Sequence, residues 1–287
     1  MPPASTRPPQ VPTARGRLYL VPAPLDFGCR DATPLHAPDE VLPDHTMAVA
    51  ARLQHWLCEN AKSLRASLKR IHERHPLHIP LQQQHIVELP RLMHKKGDHI
   101  GASPRAGATA PSPAAVLREL LAPALAGHDM GLTSEAGMPA IADPGSSIVR
   151  AAHDWQIPVI PLTGPISLML ALAASGLNGQ SFAFCGYLPQ DSTLRANQIR
   201  ALEKLALQSG QSQLFIETPY RNAAMIESLV SLLHPQTRLA VSWGLTLETV
   251  GLSHNASATV AQWRQPATRL MPDKHILDLP AVYIIGP

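Results

Sequence analysis

The sequence predicts an α/β protein of two domains, the first on a mainly parallel sheet and the second on a mixed one. Three observations carry this reading. From Ala114 onward, short apolar runs alternate with helical stretches of about 10–15 residues, the pattern of strands joined by crossover helices. The adjacent runs Leu239–Trp243 and Glu248–Leu252 read as an antiparallel hairpin, which makes the second sheet mixed. The chain has 287 residues, 45% of them hydrophobic and 16% charged, so it can fill sizeable cores and is not disordered throughout. Aromatics make up only 4%, which leaves core building to aliphatic side chains.

Residues 1–15 are rich in Pro, Ser and Thr and read as a flexible tail, with domains expected at 16–162 and 163–287. Arg17–Val21 is a short apolar run stopped by Pro22, a buried strand followed by the rigid exit Pro22-Ala23-Pro24-Leu25. His45–Leu53 reads as helix and Trp56-Leu57-Cys58 as strand. Leu64, Leu68 and Ile71 then share one face of a helix beginning near Ala61. Ile86–Leu89 is a weaker strand, and residues 97–113 form a mobile Gly/Pro/Ser loop. Further strands are expected at His128–Thr133, Ile157–Ile160, Phe182–Cys185, Gln213–Ile216 and Ala281–Ile285. The helices between them are expected near 114–125, 146–154, 166–174, 194–207 and 223–233.

Composition excludes several classes. A net charge of +3 permits an anionic partner without arguing for one. Cys29, Cys58 and Cys185 are odd in number and widely spaced, as in a reducing compartment rather than a disulfide framework. No apolar run approaches a membrane span and the start lacks a signal-peptide core, so a soluble cytoplasmic protein is expected. There is no Walker loop, GxGxxG or GxSxG, which weakens kinase, Rossmann dehydrogenase and α/β-hydrolase readings. His72, His75 and His78 are spaced by three, but Pro76 breaks any helix that would align them. They read as an exposed basic loop, and no metal is expected.

The densest chemical signal runs from Gly131 to Ser146, between a strand and a helix, where open α/β sheets place ligands. Ala136 and Gly137 let a ligand approach the backbone closely. Asp143-Pro144-Gly145 reads as a tight turn, with Ser146 or Ser147 capping the next helix. Pro161–Ser167 is a second strand-to-helix turn, and Phe215–Arg221 sets Glu217, Thr218, Tyr220 and Arg221 at another strand end.

These loops together resemble the tetrapyrrole (corrin/porphyrin) methylase family, nearest to its small-subunit rRNA 2′-O-ribose methyltransferase branch. The resemblance spans about Arg17 to Gly286. It rests on Val21-Pro22-Ala23-Pro24-Leu25, Ser134–Gly145 (SEAGMPAIADPG), Pro161-Leu162-Thr163-Gly164-Pro165, Gly186-Tyr187-Leu188-Pro189 and Ile216–Arg221. It implies two α/β domains with S-adenosylmethionine in a cleft between them, usually in a homodimer. Carried residue by residue, it implies cofactor contacts at Pro24, Glu135, Ala136, Gly137, Ile141, Ile166, Ser167, Glu217 and Leu245.

Two segments depart from that branch. Glu59-Asn60-Ala61-Lys62 stands where it has E-D-T-R, and Trp243-Gly244-Leu245-Thr246-Leu247 where it has R-E-L-T-K. Asn60 can orient a group but cannot act as a base. Trp243 is expected to offer an apolar face to a flatter or less charged acceptor, one bound differently from the ribose of that branch. Glu59 and Glu217 remain as candidate bases. An RNA or translation-apparatus acceptor is favoured, with Lys62, Arg65, Lys69, Arg70, Lys95, Lys96 and Arg105 positioning phosphates. The rivals are a tetrapyrrole-like or other small-molecule acceptor, and a non-catalytic S-adenosylmethionine-binding protein.

Overall fold

The computed structural model describes residues 14–25, 38–90, 112–247, 254–268 and 270–287. These fall into two compact units, one of residues 14–22 with Pro43–Thr163, the other of residues 23–25 and 38–42 with Gly164–Pro287.

The first unit holds a five-stranded parallel sheet in the order β3-β2-β4-β1-β5. Its strands are β1 (Leu18–Leu20), β2 (His55–Cys58), β3 (His85–Glu88), β4 (Met130–Thr133) and β5 (Val159–Pro161). Leu18, Leu57 and Leu132 come from its interior strands and pack with Leu121, Ile148, Ala152 and Ile157 from the covering segments, all buried. The helix Ala61–Arg74 docks through Leu64, Leu68 and Ile71. It begins at Asn60, whose side-chain oxygen accepts from the backbone N–H groups of Lys62 (2.9 Å) and Ser63 (3.3 Å).

The second unit holds a mixed sheet in the order β6-β7-β10-β8-β9. Its strands are β6 (Phe182–Tyr187), β7 (Ser212–Glu217), β8 (Arg238–Trp243), β9 (His254–Thr259) and β10 (Ala281–Gly286). Only β6 and β7 pair in parallel; the other three contacts are antiparallel. Phe215 and Tyr283 sit directly opposite each other on β7 and β10, their rings stacked 5.4 Å apart.

The expected α/β architecture is present, parallel sheet first and mixed sheet second, with differences that have physical causes. The strand expected at Ile157–Ile160 begins at Val159, because Pro158 has no N–H to donate and instead offers its carbonyl to Leu18. The helix expected at 114–125 is two pieces, Pro113–Leu120 and Ala122–Leu125, since Pro123 cannot continue the ladder. The partner of β8 is β9, whose alternation of Ala256 and Ala258 inward was too weakly apolar to read as a strand. The strand expected at Glu248–Leu252 lies outside the described residues for Glu248–Val250 and Gly251–Leu252, as do Cys29 and most of the expected loop 97–113. Among the large side chains buried most completely are Trp56, Trp243, Tyr283 and Phe215, so the scarce aromatics are spent in the cores that aliphatic packing alone was expected to build. Among the described residues no helix is long and apolar enough to cross a membrane.

Gly131 in β4 lies under the Trp56 ring of β2; a Cβ there would meet ring carbons at 2.5 Å. Gly131→Ala is expected to destabilise the protein by about 1–3 kcal/mol through overpacking. A denaturant midpoint equal to that of the parent would contradict the close approach.

Candidate functional site

The register of β2 with β4 pairs Cys58 with Thr133, so Glu59 and Ser134 leave the sheet side by side at adjacent strand ends. Asp143 comes back to the same place at the end of the loop that Ser134 opens. Burial first, then the charges of Asp143 and Glu135, push the Glu59 carboxyl up to about 8, against a backbone hydrogen bond from Glu135. Its Oε1 is buried and accepts no hydrogen bond among the described residues. Asp143 is pushed up to about 6 by burial, opposed by a hydrogen bond from Ser134 and reinforced by the Glu135 charge. Glu135 is exposed, and its Oε1 accepts a hydrogen bond from the Ser63 hydroxyl at 2.7 Å. Three carboxyl groups therefore converge on one strand end with no cation paired to any of them among the described residues.

The loop that follows is held in an uncommon backbone. Gly137 (φ 72°) and Gly145 (φ 132°) take positive φ, and so do Ala140 (65°) and Ala142 (63°), where a Cβ is strained. Ser134 Oγ lies 3.3 Å from both the Ala136 and Gly137 carbonyls and ties the first bend together. Gly137 is buried, Ala136 half-buried and Ile141 41% exposed at the loop's outer turn. Gly145 itself is the N-cap of the helix Ser146–Asp154, without a side-chain cap, which corrects the expectation that Ser146 or Ser147 caps it.

In the second unit, Pro24 is buried, Ile166 is the N-cap of the helix Ser167–Ser175, and Ser167 opens that helix. Leu245 is buried beyond the end of β8, flanked by Gly244 and Thr246 at φ 54° and 66°. Glu217 ends β7, 3% exposed, with Oε1 hydrogen-bonded and Oε2 in an ion pair but without a hydrogen bond among the described residues. Oε1 accepts from the Thr218 amide (2.8 Å) and hydroxyl (3.2 Å), and Oε2 pairs with Arg221 at 3.1 Å. Burial and then the Glu217 charge push the nearby Tyr283 phenol well above its usual range. The hydroxyl donates to Asn222 Oδ1 at 2.8 Å.

Several site expectations change. Trp243 is completely buried, on a strand covered by β10 and β9, with its ring 5.4 Å from His254 and 6.5 Å from Trp263. It offers no face to an acceptor. The Asn60 oxygen is occupied as a helix cap and orients the helix rather than a ligand. His72 belongs to the last helical turn and accepts from the Leu77 amide, His75 caps that helix and meets Asp44 at 2.8 Å, and His78 is exposed in the loop beyond, so the expected loop begins only at His75. Lys62, Arg65 and Lys69 are exposed on that helix with Arg70 half-buried; Lys95, Lys96 and Arg105 lie outside the described residues. Cys58 is the small buried thiol expected, pushed up to about 12 by burial and the Glu88 charge.

The described geometry defines an α/β protein whose parallel sheet carries an acidic, backbone-strained loop at its carboxyl edge, the usual ligand position of such sheets. The chain is similar to curated "Ribosomal RNA small subunit methyltransferase I" proteins. It is 32% identical over 122 residues to the one from Vibrio cholerae, covering 42% of this chain and 41% of the relative. Against that of Synechocystis sp. it is 37% identical over 129 residues, covering 45% of each. The chain thus spans less than half the length of these curated relatives. The likeness read from the loop motifs is present as sequence similarity over that part. A uroporphyrin-III-C-methyltransferase from Thermus thermophilus superimposes with a TM-score of 0.45 at 18% identity, over 95% of this chain and 92% of the other. No protein-family model matches the chain.

A carboxyl raised in the folded state above its unfolded value of about 4.5 contributes stability at low pH that is lost as pH climbs through about 8. Glu59→Gln removes that loss. The variant is expected to melt several degrees above the parent at pH 8 and nearly level with it at pH 5, because the loss accumulates between the unfolded and folded pKa values at about 1.4 kcal/mol per pH unit, less solvent screening. An equal gap at both pH values would show that Glu59 is not held protonated.

Proposed function

We propose that the chain is an S-adenosylmethionine-dependent methyltransferase whose acceptor is RNA. The observation that carries this is the similarity, at 32% and 37% identity over less than half of each chain, to the rRNA methyltransferases of Vibrio cholerae and Synechocystis sp.. The acidic strand end supports it independently. Two carboxyls with raised pKa, one with an open buried oxygen, suit a ligand bearing positive charge. When bound, S-adenosylmethionine supplies a methyl group activated on a cationic sulfur.

The chain's own residues hold, orient and shield. Ala136 and Gly137 leave the backbone approachable, and the left-handed conformation at Gly137 is one a side chain would strain. Glu135 and Glu59 supply negative charge, and Ile141 a partly exposed apolar cover. Pro24, Ile166, Ser167, Glu217 and Leu245 are proposed as further cofactor contacts on the strength of the family resemblance. Of the two candidate bases, Glu59 is favoured, because no cation is paired with it among the described residues whereas Glu217 is ion-paired with Arg221. Glu217 acts instead as a positioning residue that fixes Thr218 and Arg221. A cytoplasmic setting accords with the free thiols Cys58 and Cys185, and a homodimer follows from the resemblance.

S-adenosylmethionine is expected to raise the melting temperature. Its affinity should increase between pH 6 and pH 8, because a bound cation favours the ionised form of Glu59 and binding releases its proton. Gly137→Val should fold and lose the thermal shift. Transfer of a tritiated methyl group is then measured onto ribosomal subunits, total RNA and small-molecule extract from a strain lacking the protein. Label in RNA is the expected result. Label only in the small-molecule fraction would reassign the acceptor, and binding without any transfer would make the chain a cofactor-binding protein.

A further inference from the structure

The opposite edge of the first sheet carries the opposite charge. In the strand order β3-β2-β4-β1, the four strand starts present His85, His55, His128 with Asp129, and Arg17. At about 4.8 Å per strand this row runs for roughly 14 Å. The His55 ring stacks on His85 at 5.0 Å and lies 5.3 Å from His128, and burial together with these two neighbours holds it below the usual histidine range. At the same edge but on the sheet's other face, since Tyr19 is in register with Gly131 and Trp56 whereas His55 is in register with Met130 and Leu18, Arg17 and Arg52 both donate to a single neutral acceptor, the Tyr19 hydroxyl, each at 3.2 Å. Neither guanidinium is paired with a carboxylate among the described residues. The acid at this edge, Asp129, accepts from the Arg17 backbone N–H at 2.8 Å. Arg15 differs, because its guanidinium caps the Leu125 carbonyl at a helix end and is accounted for by that bond.

Two guanidinium groups drawn together on a phenol oxygen repel each other; the Asp129 charge offsets Arg17 in part, and no described carboxylate pairs with either. A phosphate relieves that repulsion, taking planar donors from both arginines. The histidine row offers ring N–H donors on the sheet's other face at the same edge, so a chain of phosphates that crosses the edge meets both groups, which a single ion does not. The two edges of the sheet are separated by strands of four residues, about 13 Å, so one folded RNA can reach both. We propose that this amino-terminal edge is an RNA-backbone contact surface: Arg17 and Arg52 hold a phosphate, and His55, His85 and His128 line the path of its neighbours. The proposal rests on the RNA-acceptor reading and gives that acceptor a second, sequence-independent anchor away from the acidic loop.

The test measures binding of in-vitro transcribed small-subunit rRNA to the full chain across a series of salt concentrations, with heparin and anionic phosphatidylserine vesicles as other polyanions. Arg17→Gln with Arg52→Gln is expected to weaken rRNA binding about 5–10-fold and to reduce the slope of log K against log salt by about 1–2. The double lysine variant, Arg17→Lys with Arg52→Lys, should keep most of the slope. His55→Gln with His85→Gln provides a second probe that leaves Tyr19 and its partners intact, and it should weaken binding less. The S-adenosylmethionine-induced thermal shift should be unchanged in all three, which also reports that they fold. If the parent binds rRNA and the folded glutamine variant binds it equally with the same slope, the surface is refuted while the RNA acceptor stands. If the parent prefers heparin or vesicles and does not bind rRNA, both readings fall.

Discussion

The parallel pairing of β2 with β4 is the constraint on which the first unit's chemistry depends. It delivers Glu59 and Ser134 to neighbouring strand ends, although 74 residues of chain separate them. The loop from Ser134 then returns Asp143 to the same spot. Three carboxyl groups are thereby concentrated where the backbone is already bent into positive φ at four residues. Neither feature favours folding. Burial and mutual charge disfavour ionisation of Glu59 and Asp143, and Ala140 and Ala142 sit where a Cβ is crowded. A fold that sustains both in one loop has its stability supplied elsewhere, by the aliphatic layer around Leu18, Leu57, Leu132 and Ile148. Strain and unbalanced charge localised in this way are characteristic of a site that a ligand completes.

The second unit handles its polar groups in the contrary manner. Glu217 is hydrogen-bonded to Thr218 through Oε1 and ion-paired with Arg221, and Asn222 donates to the carbonyls of Leu277 and Leu279 at 2.7 Å while accepting from Tyr283. These closed arrangements rigidify the end of β7 and the start of the helix Asn222–Leu232. They also explain the division of roles between the two glutamates. A carboxylate held by an arginine and a neighbouring amide fixes geometry, and one with a raised pKa and no described cation beside it is available for proton exchange. Within the first unit the acids of the candidate site lie beyond the strand ends, and Arg17 and Arg52 lie near the strand starts.

Much of this was legible in the sequence where local pattern suffices. The Gly/Pro-rich stretch from Gly131 to Ser146 identified the loop, and the alternation of runs identified the class of each sheet. The partners within the site were not legible. No local signal ties Glu59 to Asp143, since their meeting depends on which strands are neighbours. Trp243 was misread for the same reason: a tryptophan at a strand end can face solvent or core, and the answer follows from β8 lying between β10 and β9. Asn60 stood where the resemblance drew attention to lost acidity, yet its position just before a helix with Leu64, Leu68 and Ile71 on one face is an N-cap signal in its own right. β9 escaped notice because its inward residues are alanines, which carry little hydrophobic contrast.

The central claim is that Glu59 is a half-buried acid, with one oxygen fully covered, poised to meet a cation. Its most direct test is the titration of the Glu59 carboxyl carbon by NMR, assigned through Glu59→Gln, with and without saturating S-adenosylmethionine. The account predicts a midpoint near 8 in the free protein, moving down by about one unit or more when the cofactor binds. A midpoint in the ordinary glutamate range of about 4.3, or one near 8 that the cofactor leaves unmoved, would contradict it.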